Sequence, residues 1–311
     1  MNVPADTKPY LEIIRRHSRP LAPIGTSMTA RLRPFPTVRA LLFDIYGTLL
    51  ISGSGDIGVV AAPEAQEKES ALRAALAALG IEPTGNEPLT AAFEAIIREH
   101  HERRRASGVA FPEVDILAVW RDFVSRQLGA HRLVCDRPAA IDWLALALEY
   151  EMRVNPVWPM PGAVEMLDRL SRAGIRLGVI SNAQSFTPLL FPALTGRTLQ
   201  QLGIDESYCF YSYRFAEAKP SVRLYRAAAE RLARDGITAD QALYVGNDML
   251  NDIWPARRVG FRTALFAGDA RSLRLREDDP RIEALQPDLI VTDWDAFTAA
   301  ALAHRENGAY E

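Results

Sequence analysis

Apolar and polar positions divide the chain into three textures. Residues 1–38 are punctuated by Pro20, Pro23, Pro34 and Pro36, which leave room for one short helical stretch at 10–17. The run Val38-Arg39-Ala40-Leu41-Leu42-Phe43 is short, apolar, and ends abruptly in Asp44, with Gly47 just beyond. A central parallel strand buried on both faces reads this way. After a Gly/Ser loop at 52–61, stretches 64–79, 89–106, 114–128 and 139–153 carry apolar residues at three- and four-residue spacing. That spacing predicts helices, and only helices, from about residue 63 to about 153. From Pro159 the pattern alternates. Strands are predicted at 175–180, 207–213, 242–245, 263–266 and 289–291, and helices at 163–173, 222–233, 250–258 and 296–304. Strands alternating with helices imply βαβ units and a parallel sheet.

The expected fold is therefore α/β: a three-layer, Rossmann-like core with a parallel sheet, interrupted by an α-helical module. The boundaries read as an N-terminal arm at 1–38, a core at 39–51 and 158–311, and a helical insertion at 52–157. The arm packs on the body or against a second subunit, so a monomer and a homodimer both fit.

In parallel sheets, functional groups gather at the carboxyl ends of strands. The first strand runs into Asp44-Ile45-Tyr46-Gly47-Thr48. The second ends Ser181-Asn182. Lys219-Pro220 precedes a later helix, and the fourth strand ends Gly246-Asn247-Asp248-Met249-Leu250-Asn251-Asp252. Singly, each has a plain reading: a turn residue, a helix N-cap, a solvated lysine, a capped turn. In this order, each at a strand end, they outweigh those readings together. They bring several carboxylates, an ammonium and amide groups to one rim. A hard divalent cation and an ammonium group are what let an anionic substrate share a pocket with carboxylates.

The four segments resemble the four motifs of the haloacid dehalogenase-like hydrolases, over residues from about 38 to 300, and the helical insertion sits where that family places its cap. The resemblance implies a hydrolase with Asp44 as covalent nucleophile, substrate binding by Thr48, Ser181, Asn182 and Lys219, and Lys219 also offsetting charge at the nucleophile. It implies Mg²⁺ held by Asp44, the Tyr46 carbonyl, Asp252, and Asn247 or Asp248, two assignments one residue of register apart. Family phosphatases carry an acid/base Asp two residues after the nucleophile. Here that position is Tyr46, as in the family's 2-haloacid dehalogenases, and a tyrosine with a pKa near 10 is a poor proton shuttle at neutral pH. The acidic fourth motif points back to a metal site. The leading expectation is a Mg²⁺-dependent phosphatase of a small phosphorylated metabolite, with Tyr46 beside Asp44 and Lys219 in the catalytic group. A metal-independent 2-haloacid dehalogenase and a catalytically weak binding or regulatory protein are the alternatives. Asp56, in the Gly/Ser loop, is a candidate substitute acid. In the insertion, His100, His101 and Arg103–Arg105 read as a solvated face or an anion-selecting patch, and Trp120 and Trp143 as core.

Composition narrows the class without changing it. The 311 residues are 48% hydrophobic and 24% charged with a net charge of -3, an ordinary globular balance giving no field for nucleic acid or an anionic membrane. No apolar stretch approaches the roughly 20 residues of a membrane span. Lys8, Arg15, Arg16 and Arg19 precede no apolar core of a secretory signal. Cys135 and Cys209 form no CxxC pattern. A reducing, cytoplasmic setting is expected, with a small molecule as partner and neither nucleic acid nor membrane.

Overall fold

A computed structural model describes residues 6–35, 37–54 and 65–303. In chain order, α1 (Lys8–His17), β1 (Ala40–Phe43) and β2 (Leu50–Ser52) come first. Helices α2 (Ala65–Ala78), α3 (Thr90–Ala106), α4 (Ile116–Gly129) and α5 (Trp143–Val154) follow, with short strands β3 (Ile81–Pro83) and β4 (Leu133–Cys135) among them. The body resumes with β5 (Val157–Pro159), α6 (Ala163–Arg172), β6 (Arg176–Ser181), α7 (Thr187–Thr195), β7 (Ile204–Tyr211), the single turn α8 (Ser212–Phe215) and α9 (Arg223–Ala233). It closes with β8 (Ala242–Gly246), α10 (Trp254–Val259), β9 (Arg262–Phe266), β10 (Leu289–Val291) and α11 (Trp294–Leu302).

Six strands of the described residues form one sheet in the order β10-β9-β8-β1-β6-β7, every pairing parallel. All four residues of β1 are buried, and they alternate between two apolar layers. Ala40 and Leu42 pack with Tyr208, Leu224, Ala228 and Tyr244, under α9 and α10. Leu41 and Phe43 pack with Val179, Val245, Leu167 and Trp294, under α6 and α11. Period-2 alternation with apolar residues on both faces is what a doubly covered sheet requires.

From β1 the chain steps outward through β6 and β7, then returns to the other flank at β8. The crevice where strand order reverses is therefore the mouth between β1 and β8, where open α/β sheets bind ligands. Leu50 pairs with Pro159 and Ser52 with Val157, so β2 and β5 make a two-stranded stem from which α2–α5 rise. Asn155 ties that stem: its Oδ1 accepts from Ser52 Oγ at 2.8 Å and from the Ser54 amide at 3.2 Å. Within the insertion the helical expectation is incomplete, because β3 and β4 form an antiparallel ribbon. α7 went unpredicted. Pro188 and Pro192 remove helical donors, yet Leu189, Leu190, Phe191 and Ala193 are buried, and that burial holds the turn pattern.

The arm packs on its own chain. α1 sits against α5 and α7. Tyr10 donates to Asp142 Oδ2 at 2.8 Å, and Arg15 Nε to the Ala193 carbonyl at 2.9 Å, so one helix grips both insertion and core. No helix of the described residues is long and apolar enough to cross a membrane.

Candidate active site

Asp44 directly follows β1, and its own amide donates to the Val245 carbonyl at 2.9 Å, holding it at the crevice. Lys219 reaches the same point from the loop after α8. Its amide donates to Asn182 Oδ1 at 2.8 Å, which fixes the loop against the end of β6. Lys219 Nζ donates to Asp44 Oδ1 at 2.8 Å, to Asp252 Oδ1 at 2.6 Å and to the Tyr244 hydroxyl at 3.4 Å. All three protons of the ammonium are thereby engaged. Burial works against that charge, but Asp252 and Asp44 outweigh it and hold Lys219 protonated above the ordinary lysine range. Asp252 is pushed up to about 7, chiefly by burial, with Lys219 opposing and the neighbouring Asp44 and Asp248 reinforcing.

The acidic segment after β8 splits its work. Asp248 caps the following turn, accepting from the Leu250 amide at 2.8 Å and the Asn251 amide at 3.0 Å. Its other oxygen accepts from Asn251 Nδ2 at 2.9 Å and Arg276 Nη2 at 2.7 Å. The turn itself, Met249–Ile253, is a wide π-type turn, and it carries Asp252 back so that its Oδ2 accepts from the Asp248 amide at 2.9 Å. Asn247 accepts from Thr48 Oγ1 at 3.0 Å and donates to the Ser272 carbonyl at 2.6 Å.

These groups open on a cavity of about 560 Å³ between the core and the inserted helices. Asp44, Tyr46, Asn182, Lys219, Asn247, Asp248 and Asp252 all line it. Thr48 and Ser181, expected to bind substrate, are fully buried and off its wall. The Thr48 hydroxyl is engaged by Asn247, and that of Ser181 donates to the Asn182 carbonyl at 3.2 Å. Asp56 lies outside the described residues. Of the basic cluster, His101 lines the cavity, whereas His100 meets Asp122 at 2.8 Å. Trp120 is buried beside Phe93, their ring centroids 4.3 Å apart, and forms part of an apolar upper wall with Phe93, Ile97 and Val154.

Tyr46 is no proton carrier near neutrality. Burial first, then the nearby Glu151 carboxylate, push its hydroxyl above the ordinary tyrosine range, and that hydroxyl sits 3.0 Å from Thr187 Oγ1. Tyr244, Glu151 and Arg276 are site residues that sequence reading missed. Tyr244 and Arg276 left no signal, since strand tyrosines and loop arginines are commonplace. Glu151 did leave one, as an acid on a helix face otherwise apolar.

The donor set fits Mg²⁺. Asp44 Oδ2 and the Tyr46 carbonyl meet no donor among the described residues, and Asn247 Oδ1 has one donor and a lone pair left. Three hard oxygens with waters suit this ion. No cage of three carboxylate, imidazole or thiolate groups occurs among the described residues, and Asp248 and Asp252 are engaged by Arg276 and Lys219.

The strand end tolerates little. A Cβ on Gly246 would stand 2.4 Å from Asp252 Cγ. Gly246→Ala is expected to push Asp252 off Lys219 and lower stability by about 1–3 kcal/mol. A urea-unfolding midpoint equal to that of the parent would show that the segment can give way.

The chain matches the haloacid dehalogenase-like hydrolase family over residues 38–260. It is 30% identical over 250 residues to a phosphoglycolate phosphatase of Xylella fastidiosa, covering 78% of this chain and 84% of that protein. It is 31% identical over 144 residues to a phosphoglycolate phosphatase of Agrobacterium fabrum, where the match spans 46% of this chain and about half, 54%, of the relative. Among solved structures, a 2-haloacid dehalogenase from Pseudomonas syringae pv. Tomato superposes with a TM-score of 0.53 at 20% identity, covering 86% of this chain and 99% of that one. At that identity the likeness is one of fold.

Proposed function

The chain belongs to the haloacid dehalogenase-like hydrolases, and from that premise we propose that it is a Mg²⁺-dependent phosphatase of a small phosphorylated metabolite. The observation that carries the reading is the state of Asp44. One oxygen is fixed by Lys219, and the other meets no donor among the described residues, on the wall of the cavity between core and inserted helices. The names of the two relatives, both phosphoglycolate phosphatases, support a phosphate monoester as the substrate class.

Asp44 Oδ2 attacks phosphorus and forms an aspartyl-phosphate, splitting one hard displacement into two easier ones. Lys219, donating to Asp44 Oδ1, holds the carboxylate aimed into the cavity. Asn182, its Oδ1 already accepting from the Lys219 amide, turns its Nδ2 protons to the phosphoryl oxygens. Thr48 holds the Asn247 amide in place, and Asp252 holds Lys219. Asp44, the Tyr46 carbonyl and Asn247 would hold Mg²⁺, with Asp248 behind them as the cap of the π turn. Bound there, the cation supplies the positive charge that a single ammonium cannot give to an aspartate and a phosphate side by side.

Tyr46 favours a second reading, hydrolytic dehalogenation of a 2-haloacid, since a halide leaves without a proton. One assay separates the two: phosphate release from a panel of monoesters with Mg²⁺ and with excess EDTA, and chloride release from 2-chloropropionate in EDTA. Phosphate release that needs Mg²⁺ is expected. Release undiminished by EDTA would remove the metal from the account, and chloride release without phosphate release would replace the phosphatase by the dehalogenase.

A further inference from the structure

Glu151 belongs to α5, whose cavity face is Ala147, Tyr150, Glu151 and Val154. Positions i, i+3, i+4 and i+7 lie on one stripe of a helix. An acid on such a stripe faces the cavity. Glu151 stands one turn before Asn155, the residue that ties the stem, and Asn155 Nδ2 donates to its Oε1 at 3.5 Å, a long bond. The carboxyl group thus lines the same cavity as Asp44, one turn from the point where the insertion is anchored to the core. Its charge bears on the Tyr46 hydroxyl more strongly than that of Asp44 does.

We propose that Glu151, reaching down from the inserted helices, is the proton donor to the leaving oxygen and then the base for the hydrolytic water. The proposal rests on the phosphatase reading. In the first step Asp44 Oδ2 bonds to phosphorus, the bond from phosphorus to the ester oxygen breaks with its electron pair on that oxygen, and the Glu151 proton passes to it, releasing the alcohol. In the second, water attacks phosphorus, its proton returns to the Glu151 carboxylate, and the bond to Asp44 breaks, restoring the carboxylate and releasing phosphate. Tyr46 occupies the position from which the family's phosphatases do this work and cannot do it. Burial brings Glu151 up to about 7, the range in which one carboxyl group can serve both steps.

Other charges face the same space: Lys68 from α2, Glu94 and His101 from α3, Glu113 from the loop before α4, Asp44, Lys219, Asp248 and Asp252 from the core, and Arg274 from the loop before β10, and burial raises Asp252 and Glu113 as it raises Glu151. On the opposite side of α5, Arg16 and His17 of α1 meet Glu149 instead. A limb in the pH profile is therefore assigned by substitution, not by its position alone.

The test compares phenyl phosphate with p-nitrophenyl phosphate, whose phenol is far more acidic and leaves without help. With Mg²⁺ present, Glu151→Gln is expected to lower turnover of phenyl phosphate by about 10²-fold or more. The first equivalent of p-nitrophenol should still be released nearly as fast as by the parent, followed by slow turnover and accumulation of the phosphorylated enzyme. The parent's fall in phenyl phosphate turnover above about pH 7 should vanish in the variant, and Glu151→Asp should recover part of the rate. Equal loss on both esters in the first turnover would mark a merely structural residue and overturn the proposal. So would full activity in Glu151→Gln, or the leaving-group-dependent loss appearing in Asp56→Asn instead. Should Glu151→Gln fail to fold, judged by its melting transition, Glu151→Asp carries the same comparison. A parent that releases phosphate from neither ester would instead sink the phosphatase reading, and the proposal with it.

Discussion

Asp44→Asn is expected to fold as well as the parent and to lose at least about 10⁴-fold in turnover, the order seen when a covalent nucleophile is removed. The substitution keeps shape. The amide oxygen still accepts from Lys219 Nζ, which the parent's Asp44 Oδ1 does at 2.8 Å, and Asp252 keeps its own contact at 2.6 Å. Only the attacking oxygen changes, from a carboxylate oxygen to an amide nitrogen with no free pair to offer. One negative charge disappears from a buried group of two carboxylates and one ammonium, so the remaining pair is neutral and its burial is no more costly than before. Phosphate release under Mg²⁺, with acid-quenched mass spectrometry for the phosphorylated side chain, reads the outcome. Substantial residual turnover would place the nucleophile elsewhere and remove the covalent step from the account.

What was legible from sequence is what is local. The apolar run before Asp44, the run before Ser181-Asn182 and the run before Gly246 each mark a strand and its end, because a doubly covered parallel strand needs no partner to be recognised. The order of these ends along the chain then places them on one rim. Pairings across long separations were not legible. Lys219 meets Asp44 across 175 residues, and Arg276 meets Asp248 across 28, so no periodicity encodes either. Direction within a strand end was equally hidden. Asn247 turns to Thr48 and the cavity floor, and Asp248 to its own turn and to Arg276, although the two are neighbours. The hydroxyls of Thr48 and Ser181 are engaged by Asn247 and the Asn182 carbonyl, contacts that no local pattern announces. The helix bearing Glu151 was predicted, but which face it presents depends on how the insertion folds back over the crevice. A three-residue ribbon such as β3–β4 is too short for a pattern, and in α7 two prolines argue locally for a loop while burial of the surrounding apolar residues decides otherwise.

Lys219→Met should be the most destabilising single change at this site, lowering stability near neutral pH by about 3–5 kcal/mol, the cost of leaving buried charge without its partner. Methionine fills the stem of the lysine, so packing is nearly preserved and the loss is electrostatic. Lys219 and Asp252 are almost wholly buried, at 4% and 1% side-chain exposure, and water cannot replace the ammonium. In the variant, Asp44 and Asp252 face one another uncompensated, and burial together with mutual repulsion raises both carboxyl groups in the folded state. The folded form then binds more protons than the unfolded chain between the unfolded carboxylate range and the raised one, so its stability falls as pH rises through that window. The parent's Lys219 titrates at far higher pH and adds no slope there, and its Asp252, already raised by burial, gives the parent only part of the slope that the variant's two uncompensated carboxyl groups give. The deficit of the variant should therefore shrink from about pH 8 to about pH 5, read from urea midpoints at the two values. A deficit of the same size at both would assign the loss to packing. Adding Asp252→Asn to Lys219→Met should restore much of the stability without restoring turnover, because it removes one of the two facing charges while Asp44 still lacks the ammonium that aims it.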